Sequence, residues 1–268
     1  MDQFELWQVL VLAVVQGIAE FLPISSDGHL VVIAPLLFGG RSKPQNMMDL
    51  TIVLHLGTLG SILVFYRQRI ARLVGEDRRV LWLICLGTVP AVILVLVSKS
   101  LFGARFEEFL NSPVVAGIML VVTGVVLLWS TARPAGTLEY RELSWVGSLL
   151  IGTAQATAIL PGLSRSGTTI AAGLGLGMSR ASAATYSFLL AIPALAGAGA
   201  YEAVSMLKDR QPLSTAPAYL VVGAIVSFFV GLIALSALSR VLQRGQLHWF
   251  GWYCIGLGVA VTVWQLAI

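Results

Sequence analysis

Gly17-Ile-Ala-Glu20-Phe-Leu-Pro23-Ile-Ser25-Ser26-Asp27-Gly28-His29-Leu30 places two carboxylates, two serines and a histidine inside an apolar run. A carboxylate at bilayer depth costs roughly 2.5 kcal/mol even on lenient insertion scales, so Glu20 reads as functional by default. The surroundings make the bilayer the right reference. The 268 residues are 57% hydrophobic and 11% charged, with a mean hydropathy of +0.87. That composition excludes a soluble globular domain and predicts an integral membrane protein.

Six apolar runs reach the roughly 20 residues that cross a bilayer: Met47 to Tyr66, Val80 to Val97, Pro113 to Thr131, Ser182 to Ala203, Pro217 to Ser239 and Trp249 to Ile268. Two more, Phe4 to Gly39 and Ser144 to Met178, are about 35 residues each, too long for one span and too short for two with a turn. Each carries proline, glycine and polar residues at its middle. Half-helices meeting at a tip inside the membrane fit, because irregular backbone is tolerated there only when buried in protein or lining a cavity.

The two regions also match at a constant offset: Gln16 with Gln155, Ala19 with Ala158, Ser25 with Ser164 and Gly28 with Gly167, with Pro23 and Pro161 one position out of register. Three spans follow each. An odd number of intervening spans inverts the second copy, so the expectation is an all-α polytopic membrane protein with an inverted-topology repeat: six transmembrane helices plus two re-entrant helix pairs. The whole chain, 1–268, reads as one membrane domain, repeat 1 covering about 1–131 and repeat 2 about 144–268.

The net charge of +4 reports topology, since no basic stripe with interleaved aromatics suggests nucleic acid. Alternate loops place ten basic residues on one side, Arg67, Arg69 and Arg72 among them, and six on the other, including Arg41, Lys43, Arg105 and Arg210. The richer side is expected to be cytoplasmic, which opens the first hairpin outward. Met1 to Trp7 has no basic n-region, so the run after it is expected to stay in the mature fold. Cys85 and Cys254 sit in apolar runs and are expected to be buried structural thiols.

At the first tip, Gln16 and Glu20 are one turn apart and share a helix face, so both can converge on one ion. Ser25, Ser26 and Asp27 are ordinary cap residues as well as candidates for chemistry. His29, three residues after a serine, can move a proton, whereas His55 and His248 read as packing residues. At the second tip, Arg165 among Ser164, Ser166, Thr168 and Thr169 suits a phosphate: the fork gives bidentate donors and a helix start favours anions. Gly173, Gly175 and Gly177 read as a small-residue packing surface. Together the tips hold the parts for phosphoryl transfer.

Gln16-Gly-Ile-Ala-Glu20-Phe-Leu-Pro-Ile-Ser-Ser26-Asp-Gly-His29 and Pro161-Gly-Leu-Ser164-Arg165-Ser-Gly-Thr-Thr169 resemble the two signature motifs of the bacterial undecaprenyl pyrophosphate phosphatases, also called bacitracin-resistance proteins. The likeness continues through Leu54-His-Leu-Gly-Thr-Leu and Ser187-Phe-Leu-Leu-Ala-Ile-Pro193. It implies removal of the terminal phosphate from a polyprenyl pyrophosphate lipid, recycling the carrier for cell-wall synthesis. Bacitracin is then a partner only indirectly, through the substrate. It also implies dependence on magnesium (Mg2+) or another divalent cation, and an active site facing the periplasm from the inner membrane; a homodimer is compatible with it.

Carried over by position, Glu20 is the essential carboxylate and a metal ligand, with Gln16 where the family has glutamate or glutamine. Ser26 matches the proposed nucleophile and His29 the proton-transfer residue. Arg165 matches the pyrophosphate clamp, with Ser25, Ser164, Ser166 and Thr169 binding substrate beside it. Acidic residues that many members carry at the Thr51 and Thr185 positions are missing here, Asp49 is out of register, and Asp27 stands where serine or threonine is commoner. His29 or a metal-activated water remain open as nucleophiles. The alternative class is a polyprenyl-phosphate transporter or flippase, because broken helices in inverted repeats are also transporter architecture.

Overall fold

The computed structural model describes residues 4–37, 48–103, 109–134, 136–208 and 215–267, and within these it is helical with a single isolated β-bridge between Leu138 and Met178. The helices are α1 (Leu6–Ala19), α2 (Ser26–Leu37), α3 (Met48–Phe65), α4 (Arg67–Leu73), α5 (Arg78–Phe102), α6 (Pro113–Thr131), α7 (Trp145–Thr157), α8 (Arg165–Gly175), α9 (Arg180–Lys208), α10 (Pro217–Gln243) and α11 (His248–Leu266). Arg41, Lys43, Arg105 and Arg210 lie outside the described residues.

Among the described residues, α5, α6, α9, α10 and α11 are long and apolar enough to cross a membrane. The sixth expected span, α3, qualifies only together with α4, from which it is bent by 77°. The apolar run stops at Phe65 and Tyr66, and three arginines in the next seven residues cannot follow it into hydrocarbon, so the chain turns.

The two regions of awkward length are helix pairs. α1, α2, α7 and α8 have 14, 12, 13 and 11 residues, about 17–21 Å at 1.5 Å per residue, against a core of about 30 Å. Tips of turn backbone, residues 20–25 and 158–164, separate them. Local chemistry ends each helix where it does: Ser164 caps α8 by accepting from the Gly167 amide at 3.1 Å, and Ser25 does the same for α2 from Gly28 at 3.2 Å. α1 packs along α10 while α7 packs along α5, so a helix of each short pair is held by a long helix from the other half of the chain.

The long helices approach closely through small residues, as expected where lipid removes the hydrophobic drive between helices. A Cβ on Gly124 of α6 would lie 2.5 Å from the Gly251 carbonyl of α11, and one on Gly258 would lie 2.5 Å from the Gly117 carbonyl. A Cβ on Gly152 of α7 would overlap the Gly87 carbonyl of α5. α9 runs through the centre with Tyr186 and Phe188 buried against α5, α7 and the first tip.

Two expectations change. Cys85 is exposed on α5, whereas Cys254 is buried; the face of α5 that carries Cys85 also carries the exposed Trp82 and Val89. Gly177 is a turn residue with φ +83° whose carbonyl accepts from the Leu138 amide; only Gly173 and Gly175 press on neighbours, Ala183 and Trp129.

The second tip rests on Gly162, which has φ +92° and whose added Cβ would overlap the Ala116 carbonyl of α6. Thr123 of α6 fixes the same turn, donating to the Gly162 carbonyl at 2.7 Å and accepting from the Ser164 amide at 2.9 Å. Gly162→Ala combines left-handed strain with a backbone clash and is expected to destabilise by about 2 kcal/mol or more. A lowered melting temperature of the purified protein in detergent checks this; an unchanged one would show that the tip can relax.

Candidate active site

Glu20 follows the last residue of α1 and is 6% exposed. One carboxylate oxygen pairs with the Arg165 guanidinium. The other accepts from the Gln16 side-chain amide at 2.9 Å and from the Ser26 hydroxyl at 2.8 Å. Gln16 is there because α1 brings positions four apart onto one face. Ser26 and Arg165 are each the first residue of a helix, so the two tips offer a hydroxyl and a cation to the same carboxylate.

The tips also touch through backbone. The Ser25 hydroxyl, besides capping α2, accepts from the Gly162 amide at 3.1 Å. Ser25 itself has φ +69°, a conformation disfavoured for a residue with a Cβ. One strained serine thus joins the first tip to the second.

His29 lies one turn into α2, its Nδ1 2.7 Å from the Ser25 carbonyl and its Nε2 2.8 Å from the Tyr253 hydroxyl of α11. A carbonyl only accepts, so Nδ1 carries the proton and Nε2 of the neutral ring accepts from Tyr253. The rings are nearly parallel, at 9° with centroids 5.8 Å apart. Ser26 directs its hydroxyl to Glu20, and both His29 nitrogens are otherwise engaged.

The hydroxyls of the second tip build the seat of Arg165. Ser164 caps the helix and lies 3.2 Å from Ser166. Ser166 donates to the Leu22 carbonyl of the first tip at 3.4 Å. Thr169 donates to the Arg165 carbonyl at 2.7 Å and lies 2.6 Å from the Ser187 hydroxyl of α9. Two polar atoms at this focus, Gln16 Oε1 and Arg165 Nη1, are buried without a partner among the described residues. Orphaned groups at one focus are what a polar ligand would satisfy.

A family profile described as "Bacitracin resistance protein BacA" matches residues 9–260. The chain belongs to the BacA family. An undecaprenyl-diphosphatase of Rhodopirellula baltica is 45% identical to it over 98% of this chain and 99% of its own length. Proteins of the same name from Pelotomaculum thermopropionicum, 39% identical over 96% of each chain, and from Mycobacterium leprae, 37% identical over 96% of this chain and 93% of its own, are also similar.

Two residues of this BacA site escaped sequence reasoning. His55, read as a packing residue, holds its Nδ1 2.8 Å from the Thr51 carbonyl and its Nε2 3.8 Å from Glu20. The available signal was its place in the Leu54-His-Leu-Gly-Thr-Leu motif. Tyr253 sits in an ordinary apolar run with no local signal at all. His248, by contrast, lies beside its chain neighbour Trp249, with ring centroids 5.4 Å apart. Asp49 serves the fold elsewhere, accepting from the Leu50 and Thr215 amides at 2.8 and 2.9 Å.

Among the described residues, no group of three or more histidine, cysteine, aspartate or glutamate side chains is placed to hold a metal ion. Magnesium needs no such cage, because it is usually held by one or two carboxylates plus waters and substrate phosphate. Glu20 with the unpartnered Gln16 oxygen fits that kind of site.

Removing Arg165 strands a buried carboxylate, so Arg165→Ala is expected to destabilise by about 3–5 kcal/mol. Adding Glu20→Gln removes the stranded charge and should recover much of the loss. A double-mutant cycle on melting in detergent checks the coupling; additive losses would mean the pair contributes nothing jointly.

Proposed function

We propose that this chain hydrolyses undecaprenyl diphosphate to the monophosphate and inorganic phosphate, with its active site on the outer face of the bacterial plasma membrane. The observation that carries the reading is the Ser26 hydroxyl donating to Glu20 at 2.8 Å while Arg165 binds the other carboxylate oxygen. Nucleophile, base and anion clamp thereby meet at one point. Full-length similarity to proteins named undecaprenyl-diphosphatase supports the substrate, and nothing comparable supports the transporter alternative. The arginine-rich loops support the outward orientation, and the exchange of partners between α1–α10 and α7–α5 supports the inverted duplication.

Substrate enters with its terminal phosphate at Arg165, whose unpartnered Nη1 is ready to donate. As the guanidinium turns to phosphate, one Glu20 oxygen is released, while the other still accepts from the Ser26 hydroxyl and is placed to take its proton. Ser26 Oγ attacks the terminal phosphorus, the isoprenyl phosphate leaves with that proton, and a phosphoserine remains. Water then gives a proton to Glu20 and displaces Ser26 Oγ, which recovers the proton as inorganic phosphate departs. His29, held by Tyr253, is the second proton-handling group beside this axis.

A diphosphate brings more negative charge than Arg165, already opposed by Glu20, can neutralise. Glu20 and the Gln16 amide oxygen are the groups that would hold a magnesium ion, which when bound offsets charge developing on the phosphate oxygens.

Purified protein with a polyprenyl diphosphate and magnesium is expected to release phosphate, and chelator to stop it. Ser26→Ala and Glu20→Gln should each lower turnover about a thousandfold. Full activity in Ser26→Ala ends the covalent scheme, and no phosphate from the wild type ends the enzyme reading. Tyr253→Phe keeps the ring but removes the hydroxyl facing His29; a fall in kcat of about tenfold is expected, with KM and melting unchanged. Unaltered kcat would leave Tyr253 a packing residue.

A further inference from the structure

Beside the bend between α3 and α4, a cavity of about 220 Å³ opens to the surface between α4, α9 and α10. Its mouth is polar and exposed, carrying Gln68 and Arg69 of α4 and Gln243 at the end of α10. Its inner wall combines Phe188 of α9 and Leu235 and Leu238 of α10, the leucines 2% and 1% exposed, with the hydroxyl residues Thr185 and Ser239. The cavity is separate from the site at the tips. Tyr66 stacks on Phe188 with centroids 5.9 Å apart, and Phe188 meets the fully buried Phe21 edge-on at 5.8 Å. Phe21 is the residue after Glu20, so three rings close the path between the two.

The mouth carries positive charge that nothing in the described residues neutralises. Arg67, Arg69 and Arg72 follow one another along α4 without an acidic residue, and none of them forms an ion pair among the described residues. Arg69 reaches only the Tyr140 hydroxyl, at the long distance of 3.5 Å, and that ring's face at 5.8 Å. The carboxylate beyond Tyr140, Asp77, is already bridged to Arg141 at 3.0 Å. α4 also begins where the apolar run of α3 ends, and basic side chains at the end of a membrane span attract anionic headgroups.

We propose that this cavity is a second, non-catalytic seat for a phosphate-headed lipid, with the phosphate at Arg69 and the first carbons of its chain against Leu235 and Leu238. A cavity of about 220 Å³ has room for a phosphate and the first few carbons of a chain. The rest of the chain must leave along α10. The guanidinium fork matches the phosphate oxygens, and Leu235 and Leu238 give the first carbons of a lipid chain an apolar contact that a free anion cannot use. The same chemistry belongs to a membrane phospholipid and to an isoprenyl monophosphate.

Purified full-length protein is photolabelled with a diazirine-bearing long-chain alkyl phosphate, and in parallel with the neutral alcohol of the same chain, and the adducts are mapped by peptide mass spectrometry. The phosphate probe should label α9 and α10 around Phe188 and Leu238 about tenfold more than the alcohol does. That excess should vanish in Arg69→Ala, and in Ala184→Trp, which fills the cavity, while labelling at the tips persists. Equal labelling by phosphate and alcohol overturns the proposal, as does an excess that survives Arg69→Ala. Competition by phosphatidylglycerol assigns the seat to bulk lipid and competition by polyprenyl monophosphate to the isoprenyl phosphate; both uphold a lipid phosphate site. Displacement by inorganic phosphate alone, with neither lipid competing, refutes it. Failure of the phosphatase assay would leave this result untouched, because no catalytic residue takes part.

Discussion

The ion pair between Glu20 and Arg165 sets the conditions that the other helices meet. A carboxylate among lipid-facing helices must be neutralised by a partner with good geometry and further hydrogen bonds, or it strands a charge that water cannot reach. The partner here comes from a second tip, so both tips must leave helical geometry and meet. Ser25 accepting from Gly162, Thr123 gripping the second tip, and Gly162 lying against the Ala116 backbone are the means. Close glycine contacts between α6 and α11 and between α5 and α7 then let the supporting helices draw in around that focus.

Much of the scaffold was legible in the chain because its determinants are local. Apolar length marked the spans, and Ser112 with Pro113 starts α6 where the run begins, the serine accepting from the Val115 amide. Capping serines with glycine three residues on marked the starts of α2 and α8. Within the site, Gln16 and Glu20 were legible because one turn separates them. What sequence could not supply was contact across the fold. Tyr253 reaches His29 across 224 residues, and no periodicity in α11 distinguishes it from a lipid-facing aromatic. His55 looked like packing because its partner Glu20 belongs to another helix pair. The turn at Phe65 was also blurred, since hydropathy marks where a span ends and not where the following helix points.

The two tips share a frame and divide the chemistry. Ser25 and Ser164 cap alike, and the residues after them, Ser26 and Arg165, both open a helix toward Glu20. The seats differ in detail: Ser164 has φ −72°, while Ser25 is left-handed at +69°. The unusual backbone is at the tip that supplies the nucleophile candidate, where strain is held by bonds from two segments at once.

Glu20 and Arg165 are also 145 residues apart, a separation that bears on how the protein is made. During synthesis the first half must enter the membrane with its carboxylate before the arginine exists, and α1 must wait for α10 to cover it. An early chain therefore carries a polar hairpin whose counter-charge has not yet been made. Completion of the fold and neutralisation of the buried charge become a single late event, and the Glu20–Arg165 pair is assembled only once the chain has been made beyond residue 165.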